Sequence, residues 1–306
     1  MSEGAMLTIK VPASSANIGP GFDSIGLALN LYLTLEVTPS EKWEVIPLTE
    51  ELSLFPRDES NFIIETAIEV AKQYSKVLSP CKVKVTSEIP LARGLGSSAS
   101  AIVAGIELAD QVGEFQLSKK EKFLIASKME GHPDNVGASI YGGLIIGCQS
   151  EDAVDVEVIH SMELDLIAVV PKEELLTKAA RNVLPSTLSF QDAVEASAIS
   201  NVLVSSLVTG NYELAGKMMQ KDKFHQPYRK QLVPHLETIE RASTSLGAFG
   251  AALSGAGPTV LLFTNKGNVD TIIAELTKLL PEMMYLPLQI DKTGSVCMGS
   301  VSIGIK

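Results

Sequence analysis

The stretch that decides the fold is Pro90-Leu91-Ala92-Arg93-Gly94-Leu95-Gly96-Ser97-Ser98-Ala99-Ser100. Before it, Lys82-Val83-Lys84-Val85-Thr86 alternates polar and apolar like a strand; after it, Ala99 to Val112 is rich in Ala, Ile, Val and Leu like a buried helix. The order is strand, glycine turn, hydroxyl pair, helix. Gly94 and Gly96 let the backbone turn tightly and approach a ligand. The unbonded N–H groups at the start of the helix point into that turn and favour an anion. This predicts a phosphate cradle, although the loop alone also reads as a tight strand–helix junction. It is not a Walker A loop, because no lysine follows the glycines. Charge on a bound phosphate must then be met by a metal or by basic residues elsewhere.

Outward from the loop, 306 residues suffice for two domains or one large one, and 45% hydrophobic with 20% charged residues describes an ordered globular chain. No apolar run is long enough to span a bilayer, so no membrane role is expected. The first residues lack the basic and apolar regions of a signal peptide. A formal net charge of −11 speaks against a nucleic-acid surface and requires any anionic substrate to meet a locally positive pocket. Cys81, Cys148 and Cys297 are odd in number and far apart, forming neither a disulfide framework nor a zinc pattern. They read as reduced packing residues of a cytoplasmic protein.

Strands are predicted at Leu7–Val11, Tyr32–Val37, Gly142–Cys148, Leu164–Val170, Pro258–Phe263, Met283–Gln289 and Val296–Ile303. Helices are predicted at Asn61–Leu78, Leu117–Glu130, Ser189–Thr209, Tyr212–Lys221, Pro234–Leu246 and Val269–Leu280. Ser118 and Glu121 have capping-box spacing, and Gly131 is a natural stop. Charged Glu151 to Glu157 marks a seam or an exposed edge strand. The mixture predicts an α+β chain of two layered sandwiches.

Three further segments carry candidate chemistry. Glu130-Gly131-His132-Pro133-Asp134-Asn135 places a carboxylate at a helix C-terminus, where it opposes the dipole unless it binds a cation. Glu130 with the Ser98 hydroxyl would suit Mg²⁺; the alternative is a solvated glutamate before a turn. Pro12 to Asp23 contains Gly19-Pro20-Gly21, a sharp turn able to bring Asn17 and Asp23 into one pocket; the alternative is an Asx-type loop. Leu253 to Thr259 holds Gly255 and Gly257, weak by themselves as phosphate contacts.

In this order the segments resemble the GHMP kinase superfamily, whose three motifs match Pro12–Asp23, Pro90–Ala99 with Glu130–Asn135, and Ser254–Pro258. Thr177-Lys178-Ala179-Ala180-Arg181-Asn182-Val183-Leu184-Pro185 and Asp222-Lys223-Phe224-His225-Gln226-Pro227-Tyr228-Arg229 bring the likeness nearest to the homoserine kinase branch. The resemblance implies a ribosomal protein S5 domain 2-like N-terminal domain over 1–160 and a ferredoxin-like C-terminal domain over 161–306, with the site between them. It implies phosphorylation of the L-homoserine side-chain hydroxyl by ATP with Mg²⁺, in threonine biosynthesis, and a homodimer.

Residue by residue, it implies that Pro90, Leu91, Ala92, Arg93, Gly94, Leu95, Gly96, Ser97, Ser98, Ala99, Ser100, Gly255 and Gly257 hold the nucleotide. It also implies that Ser98 and Glu130 flank the metal. Asn61 matches an adenine contact, equally readable as a helix N-cap. Asn17, Asp23 and His132 would line the acceptor pocket, with Asp23 on the ammonium and Arg181 and Arg229 on the carboxylate, which Arg grips bidentately. Ser98, Glu130 and Arg181 would serve catalysis. Asp134 and Asn135 would shape their loop. His160, His225 and His235 would be structural or exposed, with His225 nearest to a role. No dedicated base is expected.

Overall fold

The computed structural model describes residues 6–151 and 153–300; the expected end of the last strand, 301–303, lies outside them. The first sheet contains β1 (Leu7–Ala16), β2 (Ile25–Pro39), β3 (Glu44–Pro47), β4 (Cys81–Ser87), β5 (Leu144–Gln149), β6 (Val154–Ile159) and β11 (Val296–Met298). Its order is β11-β1-β2-β4-β3, with β5 paired to the start of β2 and β6 to β5. Four helices accompany it: α1 (Phe62–Gln73), α2 (Ser97–Gly113), α3 (Lys119–Glu130) and α4 (Asp134–Tyr141). Helices α2 and α4 pack on β1 and β2.

Strand β1 runs five residues past the expected Val11, through Pro12 to Ala16. Its register slips between Pro12 and Ala13, where proline has no N–H for the ladder. The Pro12 carbonyl instead accepts from Ser100 Oγ of α2 at 3.1 Å and from Ser139 Oγ of α4 at 3.0 Å. Small buried residues there bring the helices close to the strand and set the height of the glycine loop.

The second sheet has β7 (Asp165–Val170), β8 (Ala248–Leu253), β9 (Val260–Thr264) and β10 (Met284–Gln289), all antiparallel in the order β10-β7-β9-β8. Helices α5 (Thr177–Asn182), α6 (Phe190–Thr209), α7 (Tyr212–Met219), α8 (Gln226–Arg229) and α9 (Leu236–Ser245) lie between β7 and β8; α10 (Val269–Leu279) lies between β9 and β10. The pattern is the βαββαβ arrangement of a ferredoxin-like domain. Strand β7 is apolar on both faces because both are covered. Leu166, Ala168 and Val170 share a core with α6 and α7, while Ile167 and Val169 join α9 and α10.

The capping box of α3 forms as expected, and Gly131 ends that helix in the left-handed region. Pro133-Asp134 is the start of a helix rather than a turn, with Asp134 in its first turn, where the carboxylate complements the dipole. Strand β11 leaves the second domain and pairs with Thr8–Lys10 of β1. The charged stretch from residue 153 enters β6 (Val154–Ile159), which pairs with β5.

Candidate active site

The glycine loop meets the second domain at the mouth of a polar cavity of about 100 Å³. The walls come from Asn17 and Asp23 after β1, Gly94 and Gly96 to Ser98, Glu130, His132, Asp134 and Asn135, Arg181 of α5, Arg229 of α8, and Gly255 to Gly257. Beside it lies an apolar cavity of about 420 Å³ between β4, α1 and the loop, sharing Ala92, Ser97, Ser98, Leu175 and Thr177 with the first.

Gly94 and Gly96 both hold positive φ, +77° and +74°. A Cβ on Gly94 would lie 2.3 Å from the Ser254 carbonyl oxygen, and one on Gly96 would lie 2.3 Å from Ser14 Oγ. The glycines are thus needed for the approach of the loop to both its neighbours. Gly96 precedes the 17-residue α2 without any side-chain cap, leaving the first-turn N–H groups for an anion. Backbone strain collects here: Asn17, Ile18, Asp23 and Ala92 all have positive φ without being glycine.

Asn17 is buried and bridges two walls, donating from Nδ2 to the Gly255 carbonyl at 3.0 Å and accepting at Oδ1 from the Asp23 N–H at 3.0 Å. That aims Asp23 at Arg181, which grips it bidentately at 2.7 and 3.0 Å. Arg229 is only 2% exposed. Its Nε donates to the Ala180 carbonyl at 3.1 Å; its Nη1 donates to Gly255 O at 2.9 Å and to His225 Nδ1 at 3.1 Å. Nη2 makes no hydrogen bond among the described residues, and Arg229 lines the cavity. Phe22 supports both arginines, each guanidinium carbon lying 5.5 Å from its ring centre.

A guanidinium only donates, so His225 must accept at Nδ1 and carry its proton on Nε2, which faces Gly19 O at 2.9 Å. His225 is therefore neutral. Burial, with Arg229 adding to it against the pull of Asp222, lowers its pKa to about 4 from an ordinary 6.5. A depressed histidine contributes stability that is present above 6.5 and is lost as pH falls toward 4. The unfolding free energy should drop by up to about 3 kcal/mol across that window. Urea titrations from pH 7 to 4 should show this drop, and it should shrink in His225→Gln.

Burial pushes the Glu130 carboxyl above the usual carboxylate range, opposed by His132, a hydrogen bond from Ser98, and Arg181. Burial pulls His132 down, but its contact with Asp134 at 2.5 Å and the charges of Asp23 and Glu130 outweigh it and raise its pKa. Ser98 and Glu130 offer oxygen donors of the kind Mg²⁺ takes. Asp23, His132 and Asp134 also put ligand atoms within 4.8 Å of one another. In that set, however, Asp23 is paired with Arg181, and Asp134 already accepts from His132 and the Asn135 N–H.

The structure thus brings together Asn17, Asp23, Gly94, Gly96, Ser97, Ser98, Glu130, His132, Arg181, Arg229, Gly255 and Gly257, with Leu91 and Ala92 at the apolar cavity. Leu95, Ala99 and Ser100 face the core instead, because they sit on the buried side of the loop and of α2. Pro90 and Arg93 line a different cavity. Asn61 borders the apolar cavity, but its side chain caps α1, accepting from Ile63 N at 3.1 Å and donating to Pro56 O at 2.8 Å. Phe22 and Thr177 are wall residues with no role predicted from sequence, and Asp134, expected only to shape its loop, also lines the wall. Asp134 had a signal, lying two residues from His132, whereas nothing local marks Phe22.

A family model described as the GHMP kinase N-terminal domain matches residues 61–143, and one described as the GHMP kinase C-terminal domain matches residues 203–282. Fold and cleft together define the class as that of the GHMP kinases. The homoserine kinase of Bacillus licheniformis is 48% identical over 297 residues, covering 97% of this chain and 97% of its own. That of Halalkalibacterium halodurans is 50% identical over 289 residues, covering 94% and 93%. The crystal structure of homoserine kinase from Cytophaga hutchinsonii aligns with a TM-score of 0.84 at 25% identity, covering 97% of this chain and 99% of that one. This chain belongs to the homoserine kinase family of GHMP kinases.

Proposed function

We propose that this cleft transfers the γ-phosphoryl group of ATP to the side-chain hydroxyl of L-homoserine, giving O-phospho-L-homoserine and ADP. The observation that carries the reading is a pair of arginines in one cavity beside an uncapped helix N-terminus. Arg181 is matched to Asp23, and Arg229 Nη2 makes no hydrogen bond among the described residues. The Asp23–Arg181 pair has the charges of an amino acid's own ammonium and carboxylate. On binding, the substrate ammonium takes the place of Arg181 on Asp23. Its carboxylate takes the place of Asp23 on Arg181 and reaches Arg229 Nη2. Each internal pairing is exchanged for one of the same kind, so the site stays charge-balanced.

The apolar cavity takes the adenine ring, and the α2 N-terminus takes the phosphates. Ser98 and Glu130 would hold Mg²⁺, whose charge neutralises the phosphate oxygens when bound. His132, fixed by Asp134, and Asn17 shape the acceptor side. In a loose transition state the hydroxyl need not lose its proton before attack, so alignment and electrostatics supply most of the catalysis. No side chain is assigned as a base. The site residues, the ion, a cytoplasmic location suited to the three free cysteines, and a homodimer are parts of this reading.

Coupled ADP release should appear with L-homoserine and stay at background with mevalonate and shikimate. Mevalonate has a carboxylate but no ammonium for Asp23. Turnover of mevalonate without turnover of homoserine would overturn the assignment.

A further inference from the structure

The glycine loop carries an arginine that the phosphate site does not use. Arg93 lies between Ala92 and Gly94, yet its side chain leaves the cleft and crosses to the second domain. Its Nε donates to the Pro171 carbonyl at 3.1 Å, its Nη2 to the Lys172 carbonyl at 2.5 Å, and its Nη1 to the Leu91 carbonyl at 2.9 Å. Glu174 pairs with Nη1 at 3.2 Å. The side chain is 17% exposed; its bonds to Pro171 and Leu91 are part-buried, while the bond to Lys172 lies at the surface. One planar fork thus ties the loop's own backbone to two successive carbonyls just beyond β7.

Those carbonyls begin the connection from β7 to α5, which has no regular structure of its own. Arg181 projects from α5. The other tie between loop and connection is a long one, Leu175 N to Ala92 O at 3.3 Å. The loop is otherwise held by Ser254 Oγ on Gly94 O at 2.6 Å, Thr259 N on Arg93 O at 3.3 Å and Ser14 N on Leu95 O at 3.2 Å. None of these three reaches the connection.

We propose that Arg93 is a positioning residue that sets the distance between the phosphoryl donor on the glycine loop and the acceptor held by α5. This rests on the kinase reading above. Arg93 touches neither nucleotide nor acceptor. It acts by fixing the start of the segment that carries Arg181 against the loop that carries the phosphates. Lysine keeps the charge and can reach one carbonyl or Glu174, but it cannot span two carbonyls as a guanidinium does.

The test is steady-state kinetics of Arg93→Ala and Arg93→Lys, with ADP and phosphohomoserine measured separately. A misplacement of about 1 Å between reacting groups costs up to about 100-fold in rate. In Arg93→Ala, kcat for transfer should fall about 10- to 30-fold, with KM for ATP within about threefold. ADP should exceed phosphohomoserine, because a misaligned γ-phosphoryl group is open to water. Arg93→Lys should recover part of the rate and the coupling, falling between alanine and wild type. Three results would overturn the proposal. One is a lowered melting temperature with kcat and the ADP-to-product ratio unchanged. Another is a large rise in KM for ATP at unchanged kcat, the mark of direct nucleotide contact. The third is a lysine variant no better than alanine. If alanine fails to fold, the lysine variant with Glu174→Gln carries the same comparison. Wild-type activity on homoserine is measured alongside and reports separately on the kinase reading.

Discussion

Arg229→Leu should lose about 3–5 kcal/mol of unfolding free energy and most of its homoserine binding. The first effect comes from the fold. Leucine fills much of the space but leaves the Ala180 carbonyl and His225 Nδ1 without the Arg229 donor, and the Gly255 carbonyl with Asn17 Nδ2 alone. The second effect comes from losing the Nη2 donors at the cavity wall. ATP lies on the far side of the cleft in this reading, so KM for homoserine should rise much more than KM for ATP in the protein that remains folded. Denaturant unfolding measures the first loss, and two-substrate kinetics the second. Arg229→Lys should stand between the two, since one ammonium cannot meet three acceptors spread around a planar fork. A stable Arg229→Leu protein with unchanged homoserine KM would remove Arg229 from the acceptor site.

Glu130→Gln should lower kcat by roughly 10²–10³-fold, the scale of losing one charged contact to a developing transition state, and should shift the Mg²⁺ concentration needed for activity. Its effect on stability runs the other way. Burial raises the pKa of Glu130 in the fold, so its contribution is full below the unfolded value of about 4.5 and is lost as pH rises through the folded pKa. At neutral pH the ionised side chain therefore costs stability, and glutamine removes that cost while keeping the shape. Unfolding free energy at pH 7 should hold or rise as turnover collapses. Magnesium titration of the rate, paired with thermal melts, tests both halves. An unchanged Mg²⁺ dependence would remove Glu130 from the metal site.

The parts of the molecule legible in its sequence are those decided locally. The capping box of Ser118 and Glu121 needs only four consecutive residues, and the glycine loop needs a strand before it and a helix after it. Strand β7 announces itself as an unbroken apolar run. Elements decided by distant neighbours were not legible. Helix α4 is eight residues long and contains Val136, Gly137 and Ile140, weak helix formers held by burial against β1 and β2. Strand β8 reads Ala-Phe-Gly-Ala-Ala-Leu, poor in β-formers because α7 lies against it. A Cβ on Gly216 would strike the Phe249 carbonyl. In the site, residue types were readable but directions were not. Nothing near Arg93 says that its side chain turns away from the phosphates, since the carbonyls that draw it across lie almost eighty residues on. Asp23 and Arg181 were both assigned to the substrate, but their pairing with each other appears only once the two domains meet.

Strand β11 gives the chain an unusual order of completion. Until it docks, β1 presents a row of unpaired backbone groups along one side, the kind of edge that invites association with another chain. Its partner follows the whole of the second sheet in the chain. Docking also delivers Ser295 Oγ to the buried Glu107 carboxylate at 2.7 Å, which meanwhile has Lys122 at 2.6 Å. The sheet that holds β1 is therefore completed only by a strand that follows the whole second sheet. Its open edge must be tolerated or guarded until β11 has emerged, and the slowest step of folding should be the closure that joins two segments so far apart in the chain.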